Sequence, residues 1–68
     1  MRKFIVAPEG CNWSEVEAMT AESAYRGVCC WYNPNKRVAV IDPATGNTLI
    51  FTRELDKAGN LVKVKQHI

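Results

Sequence analysis

The sequence predicts a small α+β domain, one helix packed on a small antiparallel sheet in the order ββαβββ, and three observations carry that expectation. Residues 3–7, 37–42, 48–55 and 61–66 are short runs rich in β-branched or alternating apolar residues, each bounded by turn formers. Ala21, Ala24, Tyr25, Val28, Cys29 and Tyr32 recur at the spacing of one helical face. A chain of 68 residues, 47% of them hydrophobic, can fill one core but cannot divide its apolar surface between two. Residues 1–68 are therefore expected to form a single domain.

The first strand is expected over Lys3 to Ala7, with Phe4 and Val6 on one face and Ile5 on the other, closed by the turn chemistry of Pro8 to Gly10. The next segment has two readings. Ser14-Glu15-Val16-Glu17 fits a capping box, which would start a helix at Ser14. Carried back from residue 21, however, the helical stripe falls on Ser14, Glu17 and Ala18 and turns Val16 and Met19 into water. As a strand, Ser14, Val16 and Ala18 share one face and Trp13, Glu15 and Glu17 the other. The period favours a second strand from about Asn12 to Ala18, followed by a helix capped by Thr20 and ended by Asn33-Pro34-Asn35. The remainder reads as a meander: a strand over Arg37 to Asp42, a turn through Gly46, a returning strand over Thr48 to Leu55, a second turn over Asp56 to Asn60, and a last strand over Leu61 to Gln66.

Charge says little in total and more in its distribution. The net charge is +2, too small to imply a polyanionic partner by itself. Residues 1–35 set Arg2, Lys3 and Arg26 against Glu9, Glu15, Glu17 and Glu22, whereas residues 36–68 set Lys36, Arg37, Arg53, Lys57, Lys63 and Lys65 against Asp42, Glu54 and Asp56. Any basic surface belongs to the second half. The apolar run after Arg2 and Lys3 stops at Pro8, shorter than a signal-peptide core or a membrane span, so the expected location is the cytoplasm, with no membrane partner. Asn12-Trp13-Ser14 fits a glycosylation acceptor, a match without consequence in that compartment. Cys11, Cys29 and Cys30 are odd in number and partly adjacent, which suits reduced thiols rather than a disulfide framework.

No constellation of catalytic residues is legible. Adjacent cysteines lack the two intervening residues that let both sulfurs converge on one metal, and the helical period makes Cys29 a packing residue and Cys30 a surface thiol. His67 is the single histidine and lies in the tail, where it is expected to lack the support a general base requires. Ser14 and Ser23 have no His and acid placed to activate them, and Gly10, Gly27, Gly46 and Gly59 are too dispersed for a phosphate-binding loop. The expectation is a protein without enzymatic activity, cofactor or metal.

Two binding readings follow. Trp31 falls at the margin of the helical stripe and Trp13 shares a strand face with Glu15 and Glu17, positions near a polar rim where a protein-binding surface places its aromatic anchors. Arg53, Lys63 and Lys65 in neighbouring strands would form a basic sheet face for nucleic acid, with Phe51 as a stacking platform, if Phe51 and Arg53 emerge on the open side. If Leu49, Phe51 and Leu55 face the helix instead, Ile50, Thr52 and Glu54 lie outside and the lysines protect an edge strand. The side taken by Phe51 and Arg53 discriminates between the two.

Val16-Glu17-Ala18-Met19-Thr20-Ala21-Glu22-Ser23-Ala24 resembles the strand-to-helix passage of several small α+β modules, among them phage-encoded inhibitors such as some anti-CRISPR proteins. That resemblance implies a bacterial or phage accessory protein and assigns no functional residue. The leading expectation is a non-catalytic module that docks another macromolecule, a protein before a nucleic acid, through the open sheet face or the outer helix near Trp31. A nucleic-acid-binding domain built on the C-terminal strands is the alternative, and a mobile-element inhibitor a further one. Oligomeric state is left open by the sequence.

Overall fold

The computed structural model describes residues 1–67. Five antiparallel strands form one sheet, and one helix crosses one of its faces. The strands are β1 (Arg2–Pro8), β2 (Ser14–Ala18), β3 (Val38–Ile41), β4 (Thr48–Leu55) and β5 (Leu61–His67), and helix α1 (Ala21–Val28) lies between β2 and β3 in the chain. The chain order ββαβββ is the expected one.

Across the sheet the order is β2-β1-β3-β4-β5. Both β2 and β3 pair antiparallel with β1, so they run parallel to each other with β1 between them, and α1 carries the chain from one to the other. The contest over residues 14–18 goes to the strand. Pairing with the free edge of β1 places Val16 opposite Phe4 and Ala18 opposite Arg2, turning Val16 inward beside Ala18, whereas a helix from Ser14 would turn Val16 into water.

Helix α1 begins where Thr20, in extended conformation, accepts a hydrogen bond from the Ser23 amide at 3.1 Å on its Oγ1. Glu22 and Arg26, four residues apart, pair at 3.0 Å on the exposed face. Ala24, Tyr25 and Val28 are buried against the sheet. The α-helix is shorter than the apolar stripe suggested: after Val28 it tightens into a 3-10 turn over Cys29–Trp31. The Cys29 carbonyl accepts the Tyr32 amide at 3.2 Å, and Arg53 on β4 holds this turn, its guanidinium donating to the same Cys29 carbonyl and, at 2.7 Å, to that of Tyr32. The Arg53 amide also donates to the Pro34 carbonyl at 3.1 Å, which fastens the following loop to the same strand.

The core lies between α1 and one sheet face. It contains Phe4 and Val6 of β1, Val38 and Val40 of β3 and Phe51 of β4, packed against Ala24, Tyr25, Val28 and Cys29. Tyr25 and Phe51 stack with ring centroids 5.3 Å apart. The turn from β3 to β4 is held by Asp42, whose carboxylate accepts from the Ala44 amide at 3.0 Å, and by Gly46 at φ 77°, a backbone conformation other residues adopt only under strain.

Candidate functional site

Among the described residues, no helix covers the opposite face of the sheet. Alternation along each strand assigns its residues, and the cross-strand register lines them up in rows. One row runs Glu15, Ile5, Ile41, Thr48 from β2 to β4. The next runs Ala7, Ala39, Ile50, His67 from β1 to β5. Beyond the first row Lys3 stands opposite Glu17. Beyond the second, Lys65 stands opposite Thr52, and Lys63 opposite Glu54.

The centre of this face is apolar, and its charge sits at two corners. Ile5, Ala7, Ala39, Ile41 and Ile50 are all partly exposed. An antiparallel sheet with one wet face ordinarily alternates apolar and polar residues, whereas continuous apolar runs belong to strands buried on both sides. Phe4-Ile5-Val6-Ala7 and Val38-Ala39-Val40-Ile41 are such continuous runs, yet α1 covers only one side of them. Thr52, though on the open side, is buried and shares a 2.7 Å hydrogen bond with Nε2 of His67. His67, expected at an unsupported tail, is therefore held within β5 by its strand neighbours.

The residues singled out from the sequence fall in different places. Trp13 (63% exposed) immediately precedes β2, on the parity of Glu15 and Glu17. Trp31 (71% exposed) lies in the 3-10 turn after α1, in the other layer. Each is exposed, but they do not share a strand or a helix. Lys63 and Lys65 emerge together on the open side of β5, where Lys65 pairs with Glu54 at 3.6 Å. Arg53 does not join them. It pairs in register with Val64, on the parity of Phe51, and its guanidinium is engaged by the carbonyls at the end of the helical layer. Phe51 is buried under Tyr25, so the expected trio of Arg53, Lys63 and Lys65 is divided between opposite faces, and the stacking platform is in the core. The physical reason is parity: an odd-numbered position on β4 turns inward once Phe51 does.

Two further features had no signal in the sequence. A cleft of about 250 Å³ opens beside the start of α1, lined by Arg2, Phe4, Thr20, Ala21, Asp42 and Asn47 among others. Its charges answer one another: Arg2 pairs with Asp42 and stacks over the Phe4 ring, 5.2 Å from its centroid. Exposed Cys11 receives Nζ of Lys36 at 3.6 Å, and the same ammonium donates to the Glu9 carbonyl at 2.9 Å. Cys29 is buried and Cys30 exposed. Among the described residues no group of three His, Cys, Asp or Glu side chains is placed to hold a metal ion, and no helix is long and apolar enough to cross a membrane. No protein-family model, curated protein or solved structure matches the chain significantly.

Proposed function

We propose that the chain is a non-catalytic docking module whose working surface is the open face of the sheet, and that its partner is a protein surface with an apolar centre and a charged rim. The observation that carries this reading is the uncovered apolar centre formed by Ile5, Ala7, Ala39, Ile41 and Ile50 across three adjacent strands. In strands that read as buried on both faces, one face remains without a cover.

The distribution of charge favours protein over nucleic acid. At the strand positions of this face Lys3, Lys63 and Lys65 are offset by Glu15, Glu17 and Glu54, so a polyanion gains little by counterion release. Arg53 and Phe51, needed for a single-strand binding platform, belong to the helix side.

A photo-crosslinking amino acid placed at residue 41, with residue 23 on the outer helix as control, tests the reading in cells that make the protein. Covalent adducts at residue 41 and none at residue 23 are expected. Adducts confined to residue 23, or none at residue 41, would remove the open face from consideration. A labelled oligonucleotide titrated at rising salt is expected to show no tight binding, and submicromolar, salt-sensitive affinity would favour nucleic acid instead.

A further inference from the structure

Resting on that reading, we infer that the partner of the open face is a second copy of the same chain, in a face-to-face dimer whose two sheets cross near a right angle. Glu15 and Glu17 occupy one corner of the face, on edge strand β2, and Lys63 and Lys65 occupy the diagonally opposite corner, on edge strand β5. Lys3 and Glu54 reduce each corner but do not reverse it, leaving a net −1 at the first and +1 at the second.

Strand spacing and rise turn this register into a geometry. The corners are four strands apart, about 19 Å, and three two-residue steps apart along the strands, about 20 Å, so the line joining them runs at roughly 45° to the strands. A two-fold axis in the plane of the interface exchanges the two corners only if it runs along the other diagonal. That axis sets each acidic corner over the partner copy's basic corner, twice per dimer, as an isologous interface requires. It also makes the strands of the two copies cross at about 90°, one of the two arrangements in which sheets pack face to face.

The apolar residues fit the same operation. The rows Ile5–Ile41 and Ala7–Ala39–Ile50 lie near the midpoint between the corners, so the axis brings each copy's apolar centre against the other's. A face five strands wide and about five residues long covers on the order of 400 Å² per copy, the size of a weak, reversible interface. Apolar burial supplies the attraction, and the corners choose the orientation.

Sedimentation velocity of the full chain, from low to high micromolar concentration, is expected to show a reversible monomer–dimer equilibrium. Glu15→Lys/Glu17→Lys makes both corners basic, and Lys63→Glu/Lys65→Glu makes both acidic. Each variant alone is expected to lose at least about tenfold in dimerisation, because like charges then face each other. An equimolar mixture of the two is expected to recover the dimer as a heterodimer, since opposite corners meet again at both contacts. Circular dichroism verifies that each variant is folded, and Ile41→Gln, which keeps every charge, is expected to weaken the wild-type dimer as well.

A wild-type chain monomeric at all concentrations, variants that dimerise as well as the wild type, or a mixture that fails to pair would each overturn the dimer. Crosslinks from residue 41 to other proteins by a chain that stays monomeric in isolation would overturn the second copy and leave the docking face standing. Absence of any crosslink at residue 41 would overturn both.

Discussion

Tyr25 shows how a single side chain serves the core at a cost to itself. Its ring is 1% exposed and stacks on Phe51, but its hydroxyl is enclosed with no hydrogen-bond partner among the described residues. Burial raises the phenol above its ordinary pKa of 10.0; the nearby Arg53 guanidinium, committed to two backbone carbonyls, opposes that rise only in part. A buried hydroxyl left without a partner costs about 1–3 kcal/mol. Tyr25→Phe is therefore expected to leave stability unchanged or raise it by up to about 1 kcal/mol in urea unfolding. The pH dependence has a definite sign. A folded-state pKa above the unfolded value gives a contribution that is fully present below pH 10 and lost as pH rises through the raised value. Removing the hydroxyl should abolish that alkaline loss, and a phenylalanine variant that is clearly less stable at neutral pH would mean the hydroxyl has a partner after all.

At the scale of the element, the helix start was readable and the helix end was not. Thr20 caps α1 through a local side-chain bond to the Ser23 amide, three residues on, so sequence spacing alone revealed it. Thr20→Ala is expected to cost about 1 kcal/mol in chemical denaturation, whereas Ser14→Ala, at the rival capping box, should cost under about 0.5 kcal/mol because Ser14 sits exposed in a strand. Equal losses at the two positions would contradict the assignment of β2. The end of α1 depends instead on Arg53, more than twenty residues away, which reaches the carbonyls of Cys29 and Tyr32. No local spacing could announce a bond between such distant residues.

At the scale of the whole molecule, two layers make adjacent residues on one strand energetically unlike. Phe51 is buried beneath α1 and Ile50 is partly exposed on the open face. Phe51→Ala is expected to cost about 3–5 kcal/mol, a large share of what so small a core supplies. Ile50→Thr, which keeps β-branching, should cost less than about 1 kcal/mol. Thermal or urea melts of the two variants test the layer assignment directly, and a comparable loss at residue 50 in the monomer would mean that the open face is part of the core. If that face is a dimer interface, the loss at residue 50 should grow with protein concentration.

The kinds of element, their chain order and which neighbours share a face were legible in the sequence, because strand alternation, helical period, the Thr20 cap and the turns through Gly46 and Gly59 are all local relations; the inward side of β4 was not. The sequence even contained the signal of the open face, in the continuous apolar runs Phe4 to Ala7 and Val38 to Ile41, although the exposed tryptophans were the more conspicuous feature. Tertiary structure alone decided the strand order, with β1 between β2 and β3, and therefore which side chains share a row. It also separated Arg53 from Lys63 and Lys65 and set the acidic and basic pairs at opposite corners. Those relations depend on pairing between segments far apart in the chain, and the same local pattern is compatible with more than one such pairing.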